Sequence, residues 1–443
     1  MRQAAIILLL SLAILPPLAA QAPASPVEAW TDTLRYGIES EVLEVIRKIK
    51  DAGDNSFNPE LLGLLRATTS PAVITAVLDF FAQGKAGDAE AVVLESLRVA
   101  AEAEELDPRR DIPRINYLAA IRSRQAESVL LDLLAAADAG IAGAAIQALG
   151  TVGGQAGGEG LLARLRDPEY PASLKPQLIV ALGSLKHLPA VEDLLAIAAN
   201  RDEERVRRLY AAAALGQIGD PRAVPVLRGL FAEEDSLLKT YAAGALAGFD
   251  LKEVEPLLQE GLRDANARVR LAAAKALANP GASKSVDILI YKAKNDPDRN
   301  VRLQAIQSLA VIGGTRSTAL LGELFRDRRQ ANAYREAALV ALCEHDLDAA
   351  VPAIRAVVDE EWALKTSSVL EFTARALASV SSPALEGVWR RFLEHASVNI
   401  RLYGLRAARQ NKLTGLREKI RTLAETDPHP AVRREAQRAL AEF

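Results

Sequence analysis

The chain has 443 residues, with 54 Lys and Arg against 57 Asp and Glu and a formal net charge of −3. Half of the residues are hydrophobic and a quarter are charged, which excludes a disordered polymer, and the near-balanced charge gives no support to nucleic-acid binding. Aromatic residues are scarce and Cys343 is the single cysteine, so closely packed helices without an intramolecular disulfide are expected.

Residues 1–22 read as an export signal. Arg2 precedes an uncharged apolar run from Ala4 to Leu15, then Pro16-Pro17 and small residues up to Ala22, with cleavage expected after Ala20 or Ala22. The run is short for a membrane span, and retention as an N-terminal anchor is the alternative to cleavage. The expected location is periplasmic or secreted. Residues 23–70 read as an N-terminal helical cap. Ser40 to Lys50 is amphipathic at the helical period, residues 51–56 form a loop, and Asn58 caps a helix opened by Pro59-Glu60.

From residue 71 to 443 the chain repeats, and its cleanest copy is Arg207 to Asp235. Leu209, Ala212, Ala213 and Gly216 share one face of a first helix. Gly219 suits a left-handed helix end, Asp220 an N-cap and Pro221 the first helical position of a second helix. That second helix carries Val224, Leu227, Leu230 and Phe231 as its apolar stripe. With Leu215 as anchor, the equivalents are Phe80, Ile121, Leu149, Leu182, Leu246, Leu277, Leu309, Leu342, Leu377, Ala408 and Leu440, spaced 31 to 35 residues apart from Leu149 onward. Twelve residues beyond the anchors stand Val92, Leu133, Leu161, Leu194, Leu258, Leu289, Leu321, Ile354, Trp389 and Ile420, all apolar. With half the chain hydrophobic, ten such matches in succession would arise by chance about once in a thousand. A hairpin this small cannot bury both stripes alone. The expected fold is therefore all-α, an α-α superhelix or right-handed solenoid of about eleven helix pairs closing on a lone first helix.

A second column is charged. Seven residues before nine anchors stand Arg114, Lys175, Arg208, Lys239, Arg270, Arg302, Arg335, Arg401 and Arg433. Six residues before six of these stand Glu169, Asp202, Glu233, Asp264, Asp296 and Asp427. The spacing predicts that each acid pairs with the base that follows it, Asp202 with Arg208 and Asp296 with Arg302 for example, and so fixes the angle between repeats. Each exposed pair would contribute about 0–1 kcal/mol. Gly150 to Gly160, with six glycines in eleven residues, reads as a turn that is either a flexible joint or ordinarily frayed.

The pattern V/I/L-R-x-x-A-A-x-A-L-G followed by G-D-P-x-A-V-x-x-L resembles the short HEAT-like repeats of the phycobilin-lyase type. It stands here as VRLAAAKAL at Val269–Leu277, VRLQAIQSLAVIGG at Val301–Gly314 and LGQIGDPRAVPVL at Leu215–Leu227. The resemblance implies a HEAT-like solenoid over residues 71–443 whose second helices line the partner-binding side. The family spans scaffolds, adaptors and some enzymes.

Little in the chain points to catalysis. His187, His345, His395 and His429 are single, with no H-E-x-x-H or His/Cys cluster, and no G-x-S-x-G, P-loop or dinucleotide fingerprint occurs, so no metal and no cofactor are expected. Cys343 and Trp389 read as core. Trp362 lies outside the core column and is a candidate partner contact, and so are Arg401, Arg406 and Arg409, which would meet an anionic or membrane surface. Residues 23–110 hold 9 basic and 16 acidic side chains, whereas 398–443 hold 10 and 5, which leaves oppositely charged ends. The expected function is that of an exported, non-catalytic scaffold or adaptor for a protein or peptide. The alternative is a lyase-like or ligand-handling protein with a site in the groove.

Overall fold

The computed structural model describes residues 26–84, 87–364 and 366–442, so the expected export signal lies outside the described residues. Among these, all regular structure is helical, with twenty-six α-helices joined by short turns and 3-10 segments. No described helix is long and apolar enough to cross a membrane. The described residues form two compact units, one ending at Gly157 and the other beginning at Gly158. Within each unit the helices alternate between two layers, and each first helix packs on the first helix of the next pair.

From Pro71 the described residues hold eleven helix pairs, beginning with Pro71–Gln83 and Glu90–Glu102 and ending with Val398–Gln410 and Arg417–Thr426. The lone helix Pro430–Ala441 follows. The N-terminal cap contains one further pair, Glu39–Ala52 and Asn58–Ala67, whose first helix stacks on Pro71–Gln83, and it is preceded by the helix Pro26–Tyr36. Asn58 begins its helix instead of capping it, and its Nδ2 donates to Asp88 Oδ2 at 2.7 Å.

The anchor column is the core. Leu149, Leu182, Leu215, Leu246, Leu277 and Leu309 are completely buried, as are Leu194, Leu227, Leu258 and Leu289 twelve residues on. Each such leucine contributes about 1.5–3 kcal/mol through burial. Four residues after an anchor the backbone turns left-handed at Lys186, Gly219, Gly313 and Lys412. Arg122 does the same at φ 56°, which places the anchor of its repeat at the fully buried Leu118 and not at the half-buried Ile121. Val92 is likewise half-buried, with Val93 in the core beside it. The longer first spacing hid this slip in register.

The Gly219 turn is as expected, at φ 76°, but Asp220 stands two residues before the N-cap, Arg222. Its carboxylate accepts the Arg222 N–H at 3.0 Å, and the helix Ala223–Phe231 starts after that turn, with Pro221 outside it. The glycine-rich stretch departs further from the expected turn. Helices Ala139–Val152 and Gln155–Arg166 absorb most of its glycines and leave Gly153-Gly154 as the connection. In the first unit Glu127 Oε1 accepts the N–H groups of Gly154 at 2.7 Å and Gly157 at 2.6 Å. In the second, a Cβ on Gly158 would fall 2.2 Å from His187 Nδ1. At Gly157 and Gly158 glycine thus answers to close packing, and the division between the units falls between them.

First helices approach one another most closely in the second unit. A Cβ on Gly183 would lie 2.7 Å from Ala214 Cα, and one on Gly216 would lie 2.5 Å from Ala245 Cα. The alanines and glycines of the repeat are there because backbone meets backbone.

Candidate interaction surface

The charged column is built differently from the expected pairs. Arg270 donates from Nε and Nη2 to both oxygens of Asp296, at 2.9 and 2.8 Å, while its Nη1 reaches the main-chain oxygens of Asp264 and Ala265. Arg401 repeats this on Asp427, with Nη1 on the carbonyls of His395 and Ala396. Arg208 binds Glu233 through both terminal nitrogens, and Lys239 binds Asp264 at 2.9 Å. Each base therefore takes the acid 25 or 26 residues ahead, not the one six behind. The acid is turned by its own loop: Asp264 accepts the Asn266 N–H, Asp296 the Asp298 N–H and Asp427 the His429 N–H, which aims each carboxylate at the preceding repeat. Asp202 is exposed and Arg208 does not use it. Among the described residues Arg433, on the helix Pro430–Ala441, holds the carbonyls of Asp427 and Pro428 and no carboxylate. Arg302 bonds no carboxylate among the described residues, and its partners are the Ala293 carbonyl and the Gln330 side-chain oxygen.

Electrostatics follow this geometry. Burial opposes ionisation of Asp296, but the Arg270 guanidinium, the Asp298 N–H and Lys292 hold its carboxyl below the usual range. Asp264 is lowered in the same way, burial being outweighed by Lys239 and the Asn266 N–H. The Asp296 bond raises Arg270.

Of the candidate contacts, Arg401 is corrected outright. It is buried and clamped on Asp427, so it cannot meet a surface. Arg409 is partly covered and lies 3.5 Å from Glu442, while Arg406 remains exposed beside the Tyr403 ring. Trp362 is half-buried, edge-on to the His395 ring at 5.0 Å and under the Arg391 guanidinium at 4.4 Å. Burial and the nearby Arg401 lower the affinity of His395 for a proton, and its Nδ1 accepts the Ser397 N–H. Trp389 is fully buried, as its core reading requires, whereas Cys343 is only partly buried, and burial pushes its thiol up to about 12. No group of three or more His, Cys, Asp or Glu side chains among the described residues is placed to hold a metal.

In the second unit an open groove runs over the first helices, where the resemblance had implied the second. One stretch lies between Arg299–Ile312 and Asn332–His345, floored by Leu303, Ala310 and Ala337. Val340 and Glu344 join it to a second stretch at Ala376 and Val380, and Ser379 joins that to a third edged by Arg406, Gln410 and Glu442. Sequence periodicity assigns these positions no role. Their continuity appears once the helices are stacked.

Stacked antiparallel pairs with a close first-helix layer and a transverse charged ladder define an α-solenoid of the HEAT type. The chain belongs to the Spirochaete HEAT repeat protein family, which it matches over residues 34–439. No curated protein matches it. Among solved structures it is similar to the complex of CpcE and CpcF of phycocyanin lyase from Nostoc sp. PCC7120, at 22% identity and a TM-score of 0.35 over 53% of this chain and 94% of that one. It is also similar to Kap121p bound to Pho4p, at 15% identity and a TM-score of 0.48 over 94% of this chain and 55% of that one. A third similarity is to human deoxyhypusine hydroxylase in complex with glycerol, at 19% identity and a TM-score of 0.28 over 74% of this chain and 98% of that one.

Proposed function

We propose that the protein is an exported, non-catalytic scaffold that binds a protein or peptide partner along the first helices of its second unit. The observation that carries this reading is the continuous groove over successive first helices from Arg299 to Glu442, which is open along its length and mixes small, apolar and charged residues. An extended trough of this kind suits a long ligand gripped at many weak points. Export rests on the apolar run between Arg2 and Pro16.

The test is site-specific photocrosslinking in the producing cell. Probes at Gln307 and Ser379, exposed in the groove, are expected to give a discrete adduct with another protein, and a probe at the exposed Glu260 of the second-helix layer is not. Equal adducts from both faces, or none, would reject the groove. Mass spectrometry of the mature N-terminus checks export: a chain beginning at Gln21 or Pro23 is expected, and an intact Met1 would reject cleavage.

A further inference from the structure

The described helices begin and end on opposite halves of a pair. Ile49 is completely buried, the backbone turns left-handed four residues on at Gly53, and Leu61, twelve residues on, is completely buried too, so Glu39–Ala52 is a first helix and Asn58–Ala67 its second. Pro26–Tyr36 packs on both, as a second helix packs on the pair that follows it, and Trp30 stands nineteen residues before Ile49 as Leu227 stands before Leu246. It has no first helix of its own among the described residues. At the other end Pro430–Ala441 is a first helix, packed on Val398–Gln410 and Arg417–Thr426, and no second helix is described after it.

Both ends leave uncovered what the inner pairs bury. Val27, three residues before Trp30, is 54% exposed, against 9% for Val224 at the same place before Leu227. Leu440 is only half-buried, whereas the anchors Leu215, Leu246 and Leu277 are completely buried. Where the inner repeat buries Leu209 and Ala212, the helix Pro430–Ala441 carries the exposed Arg434 and Gln437, with the exposed Arg438 beside them, 3.7 Å from Glu435. Arg434 stands six residues before its anchor, a place from which Glu336 and Glu371 reach across to Arg375 and Asn399 of the following first helix. It makes no ion pair among the described residues. At the N-terminal end Ile38, Glu41, Glu44 and Lys48 lie along one side of the first helix, and all are exposed, Ile38 at 67%. Lys48 precedes Ile49 as Ala214 precedes Leu215 and Ala245 precedes Leu246, and those alanines face the first helix before them, so this side faces outward from the stack. Glu41 accepts the Ile38 N–H at 3.1 Å, and Glu44 meets Arg47 at 2.8 Å and Lys48 at 3.5 Å on its own helix.

We propose that the chain associates end to end with a second copy of itself, Pro430–Ala441 of one copy and Pro26–Tyr36 of the next serving as the two halves of one pair, with Glu39–Ala52 stacked as the following first helix. The occupant is argued from charge and register together. Residues 398–443 hold 10 basic and 5 acidic side chains and residues 23–110 hold 9 and 16, so the two ends attract. Within the second unit Arg205 bonds Asp235 of the next repeat, ten and eleven residues before their anchors. The same register sets Ile38 on Pro430 and brings Glu41 and Glu44 to Arg434 and Arg438. Each copy uses both of its ends, which makes the contact heterologous. The seam goes beyond the scaffold reading and includes neither groove probe, Gln307 nor Ser379.

Sedimentation of the full chain at low ionic strength reads the association. The average mass is expected to rise with concentration and to fall as salt is added. Arg434→Glu at one end and Glu44→Arg at the other are each expected to weaken association about tenfold, since a like-charge contact replaces an attraction. Mixed in equal amounts, the two variants are expected to associate again, because the intact C-terminal end of one meets the intact N-terminal end of the other. That recovery also shows that both are folded. Ile38→Ser, which keeps a residue suited to the N-cap, is expected to weaken association without changing its salt dependence. A chain that stays monomeric would overturn the seam and leave the charged ends as solubility caps. Association that Arg434→Glu or Glu44→Arg leaves unchanged, or that their mixture fails to restore, would overturn it equally. The groove crosslinks decide the scaffold reading separately.

Discussion

Two stretches of the second unit use one repeat to opposite ends. Between Arg205 and Asp296 the rungs are closed: Arg208 on Glu233, Lys239 on Asp264 and Arg270 on Asp296, each spanning adjacent repeats. Between Arg299 and Ser367 the same column of bases is kept, but its acids are bound to Arg329, Gln330, Arg328 and Ser367. In the first stretch the charges are consumed by architecture. In the second the bases meet main-chain oxygens and an amide instead of a carboxylate among the described residues, and a groove runs over the same first helices. Regularity in a repeat protein thus marks where the array holds itself together.

The comparison breaks most sharply at Asp296, whose side chain is completely buried between Arg270 and Lys292. Asp296→Ala is expected to cost about 3–5 kcal/mol, because it strands a buried guanidinium. Hydrogen exchange should show the loss concentrated in helices Ala267–Ala276 and Arg299–Ile312, since repeats couple to their neighbours. Protection unchanged there would mean that the closed rungs carry no stability. Next in size is Gly216→Ala, which drives a methyl to 2.5 Å from Ala245 Cα and is expected to cost about 1–3 kcal/mol despite the better helix propensity. Gly322→Ala, in the second layer with nothing within 4 Å, is expected to gain about 0.5–1 kcal/mol. Denaturation midpoints of the two variants should move in opposite directions.

Acid tests the rungs together. Asp264 and Asp296 sit below the usual carboxyl range when folded, and an unfolded aspartate titrates near pH 3.9. Their contribution is full above that value and is lost as pH falls through the lower folded values. Burial lowers His187 and His395, so their contribution is full above pH of about 6.5 and falls away below it. Two stages of acid destabilisation are therefore expected, and Asp296→Ala should shrink only the lower one. The smallest effect belongs to the open rung: Arg302→Gln is expected to cost about 1 kcal/mol at most, the cation–π contact with Tyr334 being its main loss.

Much of the fold was legible in the sequence. Periodicity of 3.6 within helices and of 31 to 35 between them gave the pairs, because burying one leucine per turn at a fixed depth leaves the same mark in every copy. The slip at Ile121 escaped, since two apolar residues three apart look alike until the left-handed Arg122 shows where the helix ends. Arg401 was drawn to attention by its charge, and packing decided against it, since it is buried and clamped on Asp427, whereas Trp362 stays half-buried between His395 and Arg391.

The sequence by itself determined that bases and acids recur once per repeat, because that is a matter of spacing along the chain. Which acid each base takes was decided by tertiary structure. Asp264 and Asp296 lie six residues before Arg270 and Arg302 in sequence, yet each accepts its own loop's N–H and so faces the repeat before it. The competition that leaves Arg302 and Arg335 open likewise involves Gln330, Arg328 and Ser367, whose reach across the stack no linear interval records.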